Sequence, residues 1–259
     1  MIIREAKPAD KNVILEFCKN TFSWGDYIKD VWNYWLDEEN LFVIDVEKPV
    51  GMCHAFFSNN QVWLEGIRIE DSARRKGLAS KLISHVESLA IKNKLDLAFM
   101  LIDIENMASL LMAKNLDYKI HETWKFYSLL PKPSENYNVK FGNVHETSLI
   151  SHYVRSWRWI KLDKKAIRRL SDDNRLVYSN QEKNTSLAIL TDSEHFKKTL
   201  IVTLRSGCEK NTLNLISYLQ DFGFKNNYER IQILTKEDLP KLEHLEPRIS
   251  FHLMKKPLN

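Results

Sequence analysis

One short stretch holds most of the chemistry legible along this chain. After Glu70 the sequence runs Asp71-Ser72-Ala73-Arg74-Arg75-Lys76-Gly77-Leu78-Ala79-Ser80, so three cations share one turn ahead of one of only seven glycines. From Leu78 the apolar positions fall at 78, 82, 83, 86, 89 and 90, one face of an amphipathic helix. A helix begins with N–H groups that lack intrahelical partners and with a partial positive charge. A turn aiming further N–H groups at the same point, with cations beside it, makes a phosphate receptor. Gly77 suits that turn because a side chain there would stand between backbone and ligand, and Ala79 keeps a second close position small. The other readings are an exposed basic turn without a ligand and a nucleic-acid patch. The second lacks interleaved aromatics in the turn and any helix-turn-helix or zinc signature.

Just upstream, Val62-Trp63-Leu64-Glu65-Gly66-Ile67 sets one carboxylate in an otherwise apolar run. Desolvation raises a carboxylate's pKa, which suits a proton acceptor, and a placed base contributes roughly 10²–10⁴-fold. The alternative for Glu65 is a strand residue facing solvent or pairing with Arg68. His54, His85 and His121 stand alone in the sequence and read as structural or surface residues. Cys53 has no evident activating partner and reads as packing. No Cys/His spacing reads as a zinc site, so no metal is expected.

These residues need a scaffold, and the pattern supplies one. Residues 2–6 read as a strand, and Asp10 as the N-cap of a helix over 11–20. A second helix, 28–36, carries Ile28, Val31, Trp32 and Trp35 at helical spacing. Residues 41–46, 50–57 and 62–69 read as three strands joined by short turns, an antiparallel meander. Asp96–Asp103 is dense enough in apolar residues for a central buried strand, and a helical crossover from 62–69 makes that pair parallel. A helix over 106–114 and a strand over 123–129 follow. The polar, proline-punctuated stretch 131–136 is the candidate boundary, which gives a first domain over 1–131 and a second α/β module over 138–259.

The second module faintly echoes the first. Strand 199–205, helix 211–222, Gly223 as C-cap and strand 230–235 repeat the order of 96–103, 106–114 and 123–129, with Asp221–Phe224 in the place of Asn115–Tyr118. A degenerate duplication and two unrelated α+β modules stand level. Hydrophobic residues at 44% and charged residues at 28% are the balance of a soluble globular protein. No window approaches the roughly 18 apolar residues of a membrane span, and the first dozen residues do not read as a signal peptide. Three scattered cysteines, an odd number, fit a reducing cytoplasm better than a disulfide framework. The net charge of +4 suits an anionic small molecule and a nucleic acid equally.

Context separates the readings of the turn. Arg74-x-x-Gly77-x-Ala79 follows a strand directly and opens an amphipathic helix, and this resembles the acyl-CoA loop of the GCN5-related N-acetyltransferases (GNAT superfamily). The resemblance covers roughly residues 1–130 in element order. Leu64–Ile69 looks like the family's fourth strand, and Asn106 matches the asparagine that opens its fourth helix. The implied fold is a mixed, mostly antiparallel sheet flanked by helices. The resemblance implies acetyl-CoA as cosubstrate, with backbone at Ile67 and Ile69 holding the pantetheine arm. Arg74 and the amides of Arg75, Lys76, Gly77, Leu78, Ala79 and Ser80 would take the pyrophosphate, with Asn106 beyond. It further implies an amine acceptor, deprotonated by Glu65. Many members carry a tyrosine seven residues after the asparagine, to protonate the leaving thiolate; that position here is Ala113. Tyr118 matches a packing phenylalanine.

In the family the first two helices and their connection wall the acceptor site. Trp24, Tyr27, Trp32 and Trp35 lie there, the last two spaced as a core pair; Asp26 and Tyr27 are the better substrate-binding candidates, with Asp26 placed to attract an ammonium. Scattered matches are similar to a two-module subgroup that includes histidine N-acetyltransferase-like proteins, which suggests a small amine or amino acid. The rivals are a non-catalytic acyl-CoA sensor and an enzyme acting on a protein amine. Nothing in the sequence fixes the oligomeric state.

Overall fold

The computed structural model describes residues 1–21 and 25–258. Trp24, a pocket candidate from the sequence, lies outside them. The chain forms two compact units, Met1–His121 with Leu253–Asn259, and Glu122–His252. Their elements in chain order are β1 (Ile2–Glu5), α1 (Lys11–Cys18), α2 (Ile28–Asp37), β2 (Leu41–Val46), β3 (Lys48–Ser58), β4 (Gln61–Ile69), α3 (Leu78–Lys92), β5 (Leu97–Asp103), α4 (Met107–Asn115) and β6 (Lys119–Leu129). There follow β7 (Lys140–Phe141), β8 (His152–Arg155), β9 (Arg158–Lys161), α5 (Lys164–Asp172), β10 (Leu176–Ser179), β11 (Ser186–Asp192), β12 (Thr199–Arg205), α6 (Glu209–Lys225), β13 (Arg230–Thr235) and β14 (Leu245–Pro257). Among the described residues no helix is long and apolar enough to cross a membrane.

In the first unit the strand order is β1-β2-β3-β4-β5, followed by the C-terminal end of β14. The first four strands are antiparallel, and β4 and β5, joined through α3, are parallel. Alternation along the strands serves two faces. Cys53, Ala55, Val62 and Leu64 pack with Leu78, Leu82, Ile83 and Val86 of α3. Met52 and Val43 pack on the other face with Ile14 of α1 and Ile28, Trp32 and Trp35 of α2. Asp10 does not cap α1 with its side chain. Its carboxylate accepts from the Lys7 amide at 2.7 Å and from Arg4 at 2.8 and 2.9 Å, closing the turn ahead of the helix instead.

The second unit has the order β7-β10-β11-β12-β13-β6, with β12 and β13 parallel across α6. The structural repeat therefore sets β12-α6-β13 over β4-α3-β5, both strand–helix–parallel strand, and not over β5-α4-β6 as the sequence echo suggests. The echo matches a helix between two strands but carries no information on strand direction. On the face away from α6 the second unit carries the β8–β9 ribbon, where Thr203 accepts Val154 N at 2.7 Å and Thr191 donates to Val154 O at 2.9 Å. Trp157 and Trp159 find partners inside this unit, Gln232 and Trp124 respectively.

The division differs from the expected 1–131 and 138–259. It falls at His121/Glu122 and His252/Leu253, inside β6 and β14. Met254 and Leu258 are buried in the first unit's core, and Leu258 N bonds Asp96 O at 2.8 Å. Composition marks linkers, but it does not reveal a strand supplied from the far end of the chain.

Candidate functional site

The β3–β4 hairpin turns at Asn59-Asn60, and its pairing runs from Ser58↔Gln61 to His54↔Glu65, then Met52↔Arg68. One residue of β3, Cys53, thus opposes two of β4, a bulge at Gly66–Ile67. Gly66 sits at φ +62°, and a Cβ there would lie 2.4 Å from the Trp35 indole. The extra residue resets the alternation. Glu65 and Arg68 both reach groups on the α1/α2 side, while Ile67 and Ile69 pack on the α3 side. The parallel ladder of β4 with β5 runs from Gln61↔Leu97 to Leu64↔Met100, whereas β4 continues to Ile69 and β5 to Asp103. The two strands part just where Glu65 begins. Within that stretch Ile67 O accepts from Arg68 Nη1 at 3.1 Å, and Ile69 O from Arg74 Nε at 3.2 Å.

The basic turn leads from a 3-10 turn, Asp71–Ala73, into α3. Arg75 at φ +62° and Gly77 at φ +71° are both left-handed, flanking Lys76, and Gly77 is the N-cap of α3. Alternation of this kind lets successive amides converge, the arrangement that binds anions. The space a Gly77 side chain would take is open for 4 Å. Arg74 pairs with Asp71 at 2.7 Å and Lys76 donates to Ser72 O at 3.1 Å, so two of the three cations fold back onto the turn, while Arg75 is exposed. Leu78 is buried and Ala79 and Ser80 half-buried, which leaves their amides as the groups that can meet a ligand. These features fit a pyrophosphate. Asn106 is exposed at the N-cap of α4, its Oδ1 accepting from Ser109 N at 3.1 Å.

Glu65 lies among polar partners. His54 Nδ1 stands 2.9 Å from Oε1, and Trp63 Nε1 donates to Oε2 at 3.3 Å. His54 is wholly buried, stacked on Trp35, with Nε2 3.7 Å from Glu38 Oε2. The structure gives Glu65 a partner directly opposite on β3, His54. That partner could have been found by counting outward from Asn59-Asn60, because a two-residue turn fixes the register. Glu38 carries no such signal.

Asp26 and Tyr27 lie beside this cluster. Asp26 is buried and engages Arg68 in two bonds, Oδ2 to Nε at 2.7 Å and Oδ1 to Nη2 at 3.2 Å, and Oδ1 also accepts Ile28 N at 3.2 Å. Its charge is thus matched by Arg68, so it is placed to hold the turn before α2 against β4 more than to attract an ammonium. The Arg68 guanidinium lies 5.5 Å from the centre of the Tyr27 ring, and burial pushes the Tyr27 phenol up to about 12. Trp32 and Trp35 are core residues. Ala113 and Tyr118 are buried in the α3-side core, with Lys256 over the Tyr118 ring, and burial raises the Tyr118 phenol. Burial likewise raises the thiols of Cys18 and Cys53, the first to about 12.

Residues 11–118 match the family model described as the Acetyltransferase (GNAT) family. That stretch lies within the first unit, which is therefore GNAT-like in sequence. Among solved structures, one from Thermoplasma acidophilum with a provisional acetyltransferase assignment aligns at TM-score 0.66 and 14% identity, covering 99% of this chain and 100% of that one. A GCN5-related N-acetyltransferase from Sphaerobacter thermophilus aligns at 0.62 and 11% identity, covering 100% and 96%. A tandem GNAT protein from the clavulanic acid biosynthesis pathway aligns at 0.55 and 8% identity, covering 100% and 98%. Likeness at these identities speaks for the fold, which extends over both units. No curated protein sequence matches the chain significantly.

Proposed function

We propose that this protein transfers the acetyl group of acetyl-CoA to a primary amine of a small molecule or amino acid, by direct attack within a ternary complex. The observation that carries the reading is the bulge at Gly66. It leaves the Glu65 carboxylate where β4 parts from β5, nine positions ahead of Arg74 in the basic turn. The amides from Arg75 to Ser80 hold the pyrophosphate, main-chain groups at Ile67 and Ile69 hold the pantetheine arm, and Asn106 meets the cosubstrate beyond it. The acetyl carbonyl then lies in the parting of the strands.

Glu65 accepts a proton from the acceptor ammonium. The freed nitrogen lone pair attacks the carbonyl carbon, the C–N bond forms, and the C–S bond breaks as the tetrahedral adduct collapses. The thiolate leaves with both electrons and takes up the second proton, which the nitrogen sheds as the amide forms and water relays, since Tyr118 is held in the core. Two buried cysteines without a disulfide accord with a reducing compartment such as the cytoplasm. Ala113 at the usual acid position favours a second reading, an acyl-CoA sensor without turnover. Calorimetry with acetyl-CoA, paired with thiol release over a panel of small amines and amine-bearing peptides, separates these readings. Turnover on small amines that falls by roughly 10²-fold or more in Glu65→Gln, with acetyl-CoA affinity kept, supports the proposal. Binding without thiol release on any amine supports the sensor.

A further inference from the structure

We propose that His54 is the positioning residue that orients the Glu65 carboxylate for proton transfer, with Glu38 behind it; the proposal rests on Glu65 being the proton acceptor. His54 has no exposed surface, yet its two ring nitrogens face two carboxylates, Nδ1 at 2.9 Å from Glu65 Oε1 and Nε2 at 3.7 Å from Glu38 Oε2. An apolar side chain of similar volume would fill that space without a polar group to satisfy, and a buried polar group is costly unless it is bonded. The ring's contribution is therefore directional. With a proton on Nδ1, which the neutral Nδ1–H tautomer and the imidazolium both provide, His54 donates to Oε1 while Trp63 donates to Oε2. Two donors on separate oxygens fix the carboxylate plane, and donation to a carboxylate favours its ionised form. Glu38 stands on the far side of the ring, 3.7 Å from Nε2. Parallel stacking on Trp35 stops the ring from turning away.

The test uses steady-state kinetics of the full chain with acetyl-CoA and an accepted amine. His54→Leu lowers kcat about tenfold or more, while KM for acetyl-CoA stays within about twofold, because the residue acts only through Glu65. His54→Asn places an amide N–H near the position of Nδ1 and recovers part of the loss. His54→Gln places its amide toward Glu38 and recovers less. In a Glu65→Gln background, His54→Leu causes no further loss, since the group it positions is gone. The same fold loss in both backgrounds, or wild-type kcat in His54→Leu, overturns the proposal while leaving the role of Glu65 standing. Wild-type turnover in Glu65→Gln removes both. If His54→Leu does not fold, Asn and Gln variants of equal turnover overturn it.

Discussion

The indole of Trp35 and the imidazole of His54 lie parallel, 2° apart in plane and 4.8 Å between ring centres. The same indole closes over Gly66, where a Cβ would meet Cζ3 at 2.4 Å and Cη2 at 2.6 Å. One side chain of α2 therefore sets both the ring that touches Glu65 and the bulge that aims it.

Gly66→Ala tests that joint. The added methyl must displace a fully packed tryptophan, and the backbone at φ +62° disfavours any side chain. Overpacking of this kind costs about 1–3 kcal/mol. The expected outcome is a lower melting temperature with a disproportionate drop in kcat, because Trp35 carries His54 with it. A variant that loses stability but keeps kcat shows that the indole and the carboxylate are not coupled.

The Asp26–Arg68 pair makes a separate prediction. Their side chains are 3% and 15% exposed, so either charge left alone is costly. Breaking such a pair from one side costs about 3–5 kcal/mol, whereas removing both charges together costs much less. Asp26→Asn and Arg68→Met should each lower stability in denaturant unfolding, and the double variant should be more stable than the sum of the two losses implies. The acceptor KM should rise in both single variants, since the turn from Gly25 to Tyr27 is released from β4. Full additivity would mean that the two bonds contribute nothing jointly.

Much of this was legible from local signals. The turn at Arg74–Gly77 combines a strand end, a helix start and a glycine, all neighbours in sequence, and each leaves a compositional trace. Glu65 was visible because a carboxylate in an apolar run is anomalous. His54 was not, because its meaning comes from a partner across the hairpin, and a histidine alone in a strand has none. Asp26 was read as a charge awaiting a ligand, since nothing local shows that Arg68, 42 positions on, engages it. The last strand of the first unit escaped for the same reason, arriving from residue 253 onward.

The first unit's entry turn gives a pH prediction. Hydrogen bonds from Arg4 hold the Asp10 carboxyl below the usual carboxylate range, against the opposing effect of burial and with help from the Lys7 amide. A depressed folded-state pKa contributes stability that is fully present above the unfolded value, near 3.8, and is lost as pH falls through the folded value. Asp10→Asn should therefore be less stable than wild type at neutral pH, and the difference should shrink as the solution is acidified below pH about 4. Melting curves taken down the pH scale check this; a constant gap would assign the loss to geometry alone.

The two units share a strand–helix–parallel strand order but differ at the turn before the helix, and the contrast lies in two glycines. At Gly77 the place of a side chain is open, and the first helical bond made to its carbonyl comes from Lys81 N. At Gly207, the residue before the N-cap of α6, a side chain would strike Asn184 O at 1.9 Å, Gly207 N donates to Ser186 Oγ, and Cys208 N donates to Asn184 O. The amides that would cradle a diphosphate in the second unit are consumed by its own chain. Calorimetry should accordingly give one acetyl-CoA per chain. Gly77→Asn is the variant of choice at the other turn, because asparagine tolerates the left-handed backbone better than other residues with a side chain yet fills the ligand's space. Its melting temperature should stay near wild type while Kd for acetyl-CoA rises about tenfold or more, roughly 1.4 kcal/mol. Two equivalents bound per chain, or an unchanged Kd in Gly77→Asn, would place the diphosphate elsewhere.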